Sequence, residues 1–146
     1  MGEISADYII EIKAILTEAR SQAYKAINMA MVNAYWKIGQ CIVLEEQNGK
    51  ERAEYGKEII KNLSGVLTAE FGKGFSKRSL WEMRQFYILF SDYQKVRTLF
   101  AQLSWSHFQR VIKVQDEKAR TYYLTEAAQN MWSVRTLDRN ISTLLQ

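Results

Sequence analysis

Residues 55–90 read YGKEIIKNLSGVLTAEFGKGFSKRSLWEMRQFYILF, and this stretch decides the fold. Ile59, Ile60, Leu63, Val66, Leu67 and Phe71 recur three and four residues apart, the spacing that gathers side chains on one side of an α-helix. A helix is predicted from about Glu51 to Phe71. Gly72-Lys73-Gly74 then breaks it, because glycine enters the left-handed backbone region without a Cβ clash. Ser76 is the predicted N-cap of the next helix, its hydroxyl accepting from an otherwise unpaired amide in the first turn. That helix is predicted to end near Phe90. Leu80, Met83, Phe86, Tyr87 and Phe90 form its inner face, and Lys77, Arg78, Glu82 and Gln85 its outer face, with Arg84 near the boundary.

Upstream, one apolar stripe runs through Ile9, Ile12, Leu16, Ala19, Ala23, Ile27, Ala30, Ala34, Ile38 and Ile42, so residues from about Ser5 to Gln47 are predicted helical. Ser5 or Asp7 is the candidate cap, and Asn48-Gly49 a stop signal. Gly39 is expected to bend or split this segment. So long an apolar stripe calls for cover, by folding back as a hairpin or by packing against a second subunit. Downstream, a loop is expected around Ser91 to Leu103. Ser106 with Gln109 fits a capping box for a helix ending near Val114. Asp116 caps a helix to about Asn130, and Ser133 a last one with Val134, Leu137, Ile141 and Leu144 inward.

The predicted fold class is therefore all-α: a long N-terminal helix or helical hairpin, residues 1–50, followed by a helical bundle with helix-turn-helix-like units, residues 51–146. Together they make one structural domain. The chain has 146 residues, 47% hydrophobic and 25% charged, enough for a packed core. It contains no proline, as suits helices joined by short turns. The single cysteine, Cys41, forms no intramolecular disulfide and fits a reducing compartment. The acidic N-terminus lacks the apolar core of a signal peptide, and no uncharged stretch is long enough to span a membrane. A cytoplasmic location without membrane contact is expected.

Charge divides the chain. Residues 1–72 hold 8 Lys/Arg against 10 Asp/Glu, and residues 73–146 hold 12 against 6. The halves carry −2 and +6, which sum to the formal +4. The basic half is the candidate contact surface for a polyanion. Residues 55–90 have the layout of a helix-turn-helix, whose second helix presents its N-terminal residues to the major groove. Arg78 and Gln85 have the donors and acceptors to read base edges, while Lys73, Lys77 and Ser79 suit phosphates. A solvated helical hairpin is the plain alternative. The layout repeats at residues 116–141, where Met131-Trp132 is the turn and Arg135 and Arg139 are outward. The aromatics mostly sit at core spacing, although stacking on single-stranded bases is open to any that are exposed.

No catalytic residue, metal ligand or cofactor-binding residue is assigned. His107 is the only histidine, with no cysteine cluster to make a zinc site and no nucleophile to activate. It reads as a structural histidine or a single polar contact. Gly72-Lys73-Gly74-Phe75-Ser76 lacks the spacing and preceding strand of a phosphate loop. Glu11-Ile12-Lys13 has the carboxylate-x-lysine spacing of metal-dependent nucleases but lies in a helical stripe, so it reads as a solvated face.

Tyr35-Trp36-Lys37-Ile38-Gly39, residues 55–90, LSWSHFQRVIKV at 103–114 and WSVRTLDRNI at 132–141 resemble, in that order and over nearly the whole chain, the N-terminal domain of the YhcG family. The resemblance implies a helical domain joined in relatives to a C-terminal PD-(D/E)XK nuclease-like domain, with a DNA-directed role. Leu103-Ser104, His107 and Ser133-Val134-Arg135 also resemble part of the helix-turn-helix region of ParB-type proteins. The chain stops at Gln146 with no strand-rich core, which implies a piece of a longer protein or of a gene, and DNA cleavage is not expected of these residues alone. The function expected is a DNA-binding module, for duplex or branched DNA, that targets a linked nuclease. The alternative is a protein-interaction module, including a homodimer through the N-terminal helix, that positions the nuclease without touching DNA. An enzyme in its own right finds no support in the residues.

Overall fold

The computed structural model describes residues 6–48 and 55–144, and its order is α1 (Ala6–Asn48), α2 (Tyr55–Phe71), α3 (Lys77–Leu89), α4 (Tyr93–Val96), a 3-10 turn (Arg97–Leu99), α5 (Trp105–Ile112), α6 (Glu117–Gln129) and α7 (Val134–Leu144). There is no strand among the described residues. The all-α expectation holds, with the long helix rather than the hairpin. Of the sequence signals, Ser5, Gly49 and the start at Glu51 lie outside the described residues. Asp7 sits inside the first turn of α1, where a carboxylate complements the helix dipole. Among the described residues no helix is long and apolar enough to cross a membrane.

α1 is one unbroken helix of 43 residues, about 64 Å long at 1.5 Å per residue. Gly39 does not bend or split it. Its role is close approach: a Cβ built there would lie 2.0 Å from the Met83 carbonyl oxygen, so only glycine lets α3 cross α1 so near. Only the second half of α1 enters the core, through Val32, Trp36, Gly39 and Ile42. The expected stripe is a single buried face only in part. From Ile9 to Ala30 it is exposed throughout, with Ile12 at 49% and Leu16 at 54%. The bundle does not extend this far along α1: every described residue before Val32 is exposed, on all sides of the helix, whereas Ile38 and Ile42 of the same stripe are half-buried and buried.

The main core gathers on Phe86 of α3, whose ring centroid lies 5.3 Å from Trp105, 4.7 Å from Phe108 and 5.9 Å from Phe90. Offset and edge-on rings at such distances gain beyond area burial alone. Trp36 joins α1 to this cluster: its indole N–H donates to the Phe90 carbonyl at 2.8 Å, and its ring packs on Tyr87 and Tyr93. α2 is lightly held. Of its expected inner face only Ile60 is buried, Ile59, Leu63 and Leu67 are half-buried, and Val66 and Phe71 are exposed. The loop expected at 91–103 is partly helical, because Asp92 caps α4 by accepting from the Lys95 amide.

The start of α5 differs from the sequence expectation. Ser104, not Ser106, is the N-cap, and its capping-box partner is His107 rather than Gln109. Leu103 is 2% exposed, so the chain must turn immediately after it has buried that side chain. Asp116 caps α6 as expected, accepting from Ala119 at 2.9 Å, and the Ser133 hydroxyl accepts from Thr136 at 3.1 Å at the start of α7. Leu137 is fully buried, and Val134 and Ile141 are half-buried beside it. α6 ends short of Ser133 through Met131, whose φ of 52° puts a non-glycine residue in the left-handed region.

Candidate nucleic-acid interface

The turn between α2 and α3 is fixed from several sides. Gly72 donates to the Thr68 carbonyl at 2.9 Å, closing α2. Gly72 and Gly74 hold φ of 81° and 110°, which other residues adopt at a cost. The Ser64 hydroxyl donates to the Phe75 carbonyl at 2.8 Å, and Phe75 packs against the cluster of Ile60, Leu80 and Met83. Ser76 is extended and accepts from the Ser79 amide at 3.1 Å, capping α3 as the sequence predicts.

Lys73, Lys77 and Arg78 are exposed on this turn, and among the described residues none of them makes an ion pair. Ser79 is half-buried, and its hydroxyl accepts from Ser76 Oγ at 3.1 Å, so it belongs to the cap as much as to the surface. Arg78, Trp81 and Gln85 follow one another by three and four residues and share a face. Trp81 is 48% exposed and Gln85 is half-buried. Both border a groove of about 450 Å³ whose other wall comes from Ile112, Lys113 and Val114. Lys113 is exposed at that wall.

One residue expected on the outer face belongs inside. Glu82 is 6% exposed and accepts from Gln109 Nε2 of α5 at 3.0 Å. A carboxylate this buried needs a partner, and Gln109 supplies it. Three of the twelve cations in the basic half are likewise committed to structure. Arg84 makes a two-pronged contact with Glu46 of α1, at 2.6 and 2.9 Å. Arg110 reaches Asp138 of α7 at 3.0 Å. Arg120 is buried and donates to the Val114 carbonyl at 2.7 Å. The other nine, all exposed, include Lys73, Lys77, Arg78, Lys113, Arg135 and Arg139.

Arg135 and Arg139 stand one turn apart on the exposed face of α7. They are not brought together with the α3 set. α5 stands between, contacting α3 through Gln109 and Glu82 and α7 through Arg110 and Asp138. The α6–α7 turn is held by His107. His107 is 8% exposed; its Nε2 lies 2.7 Å from the Trp132 carbonyl and its Nδ1 3.1 Å from the Ser104 amide. A carbonyl accepts and an amide donates, so the proton sits on Nε2. The histidine is a structural clasp, and it draws Leu103-Ser104 and Ser133-Val134-Arg135 together in space.

Trp81 and Lys113 were not singled out from the sequence. Trp81 was within reach, because it lies between Arg78 and Gln85 on their own face. Lys113 joins the site only through the packing of α5 on α3. Elsewhere, a cleft of about 840 Å³ opens between α1 and α2, lined by Ile38, Cys41, Ile42, Ile59, Leu63 and Phe75 among others. Its walls are mainly apolar, unsuited to reading phosphates. Among the described residues no group of three or more His, Cys, Asp or Glu side chains converges to hold a metal.

Comparison with known proteins agrees with the segments quoted above. A family model described as the DUF1016 N-terminal domain matches residues 11–146. The chain is 30% identical to the protein named "Putative nuclease YhcG" of Escherichia coli (strain K12), over 88% of this chain and 42% of the relative. The chain thus spans about two fifths of the length of the curated relative it matches. No solved structure matches it. The matched region takes in all of α2 to α7, so the capped turn and its cations lie within it. The chain belongs to the DUF1016 N-terminal domain family, the helical N-terminal domain of YhcG-like proteins.

Proposed function

We propose that this domain is a DNA-binding helix-turn-helix module that targets a linked PD-(D/E)XK-type nuclease, contributing binding rather than cleavage. One observation carries the reading: Lys73, Lys77 and Arg78 stand exposed without ion pairs on a hydrogen-bonded, capped turn, while Arg84, Arg110 and Arg120 of the same half are committed to structure. Cations with no structural partner are free to displace counterions from phosphates. The α3 N-terminus adds unpaired backbone amides that favour a phosphate. Trp81 and Gln85 extend the same face toward base edges or unstacked bases. Arg135 and Arg139 on α7 are a second contact set, suited to a longer duplex or a branch. The nuclease named in the relative supplies the reason for a DNA-directed module.

The test is fluorescence anisotropy on a labelled duplex across a salt series, with a single strand and a branched junction as competitors. If about four phosphates are neutralised, affinity falls roughly a hundredfold between about 50 and 200 mM salt. Lys77→Glu with Arg78→Glu is expected to abolish retention or to lower the salt slope by about two. Unchanged affinity in that double variant refutes the α3 surface. Absence of binding at low salt favours the second reading, an interaction module that positions the nuclease, for which the exposed half of α1 speaks.

A further inference from the structure

We infer that residues 9–26 of α1 pair with the same segment of a second copy, in antiparallel orientation and in one register. The inference stands on α1 alone and does not depend on DNA binding by α3. The N-terminal half of α1 carries Ile9, Ile12 and Leu16, then Ala19, Ala23 and Ala26, all exposed. These six alternate by three and four residues, which is the a/d pattern of a two-helix seam. Every described residue of α1 before Val32 is exposed, so the bundle of its own chain does not reach this face. Monomers seldom leave so continuous an apolar surface open.

The order of sizes selects the occupant. The large residues fill one end of the seam and the alanines the other. A parallel pair would set isoleucine on isoleucine at one end and alanine on alanine at the other, forcing the helices to diverge. An antiparallel pair centred between Thr17 and Glu18 sets Ile9 over Ala26 of the second copy, Ile12 over Ala23 and Leu16 over Ala19, and the two-fold axis repeats each layer. All six layers then hold one large and one small side chain, and the helices stay evenly spaced. On one flank Tyr8 meets Met29 and Ile15 meets Gln22, extending the apolar contact. On the other flank Lys13 approaches Arg20 of the second copy, a like-charge pair that salt screens. The seam is about 26 Å long. It is smaller than a standard interface of about 800 Å² per partner, so the pairing is reversible rather than obligate.

The test uses the 146-residue chain with Cys41→Ser, in sedimentation velocity from about 2 to 200 µM, the range expected for a small interface, followed by oxidative cross-linking. The wild-type surface gives a monomer–dimer equilibrium that shifts toward dimer as salt rises, the opposite of the sign expected for DNA. Leu16→Glu gives monomer throughout with unchanged helix content, since that side chain touches nothing in its own bundle. Ile12→Cys mixed with Ala23→Cys forms a disulfide-linked dimer. Ala23→Cys alone does not, because its two copies lie about 16 Å apart along the axis, beyond the reach of about 7 Å for a disulfide. Monomer at every concentration overturns the proposal and leaves the face to some other partner. Cross-linking of Ala23→Cys with itself, or a dimer surviving Leu16→Glu, overturns it as well. None of these outcomes involves DNA, so a failure here leaves the α3 reading untouched.

Discussion

The two halves of α1 have similar composition and opposite fates. Residues 32–48 place Val32 at 1% exposure and Trp36 at 5% inside the bundle, whereas Ile12 and Leu16 remain about half exposed on the same continuous helix. Helical spacing alone does not distinguish them. What separates them is position along the axis: the bundle packs on α1 only from Val32 onward, where even Ile42 of the stripe is buried at 2% exposure. An apolar stripe therefore tells which residues want cover, not whether their own chain supplies it.

That contrast can be pressed with three substitutions in α1. Trp36→Ala removes an indole that hydrogen bonds to Phe90 and packs on two tyrosines, and is expected to cost about 3–5 kcal/mol of unfolding free energy in denaturant titration. Gly39→Ala comes next, at about 1–3 kcal/mol, because the new methyl group must push α3 away from its contact at Met83. Gly65 in α2 is the control. A Cβ there meets nothing within 4 Å, so Gly65→Ala is expected to stabilise by up to about 1 kcal/mol through helix propensity. The opposite signs of the two Gly→Ala changes would sharpen the claim that Gly39 serves close approach. Ile12→Ala is the smallest effect, within about 0.5 kcal/mol at concentrations where the chain is monomeric. A loss near that of Trp36→Ala would mean that the first half of α1 packs on the bundle after all.

Much of the bundle was legible in the sequence because its boundaries are local chemistry. Ser76, Asp116 and Ser133 each cap the helix expected of them, and Gly72-Lys73-Gly74 forms the expected turn. The misreadings came where distant packing decides. Ser104 and Ser106 both precede a polar residue by three, and only burial of Leu103 selects the first. Glu82 reads as a surface carboxylate until Gln109 arrives from α5. The cations of the candidate site can be listed from the sequence but their allocation cannot: nothing local marks Arg84 and Arg110 as structural and Arg78 as unpaired in the described structure. Glu46 and Asp138, 38 and 28 residues away, make that difference.

Hydrogen exchange, read peptide by peptide with and without a duplex, tests this division of labour most directly. The account predicts that DNA protects the segment from Gly72 to Gln85, with weaker protection around Arg135 and Arg139. Residues 9–26 should respond to protein concentration instead of to DNA. Protection by DNA confined to α1, or no change around α3 when the duplex is saturated, would contradict it.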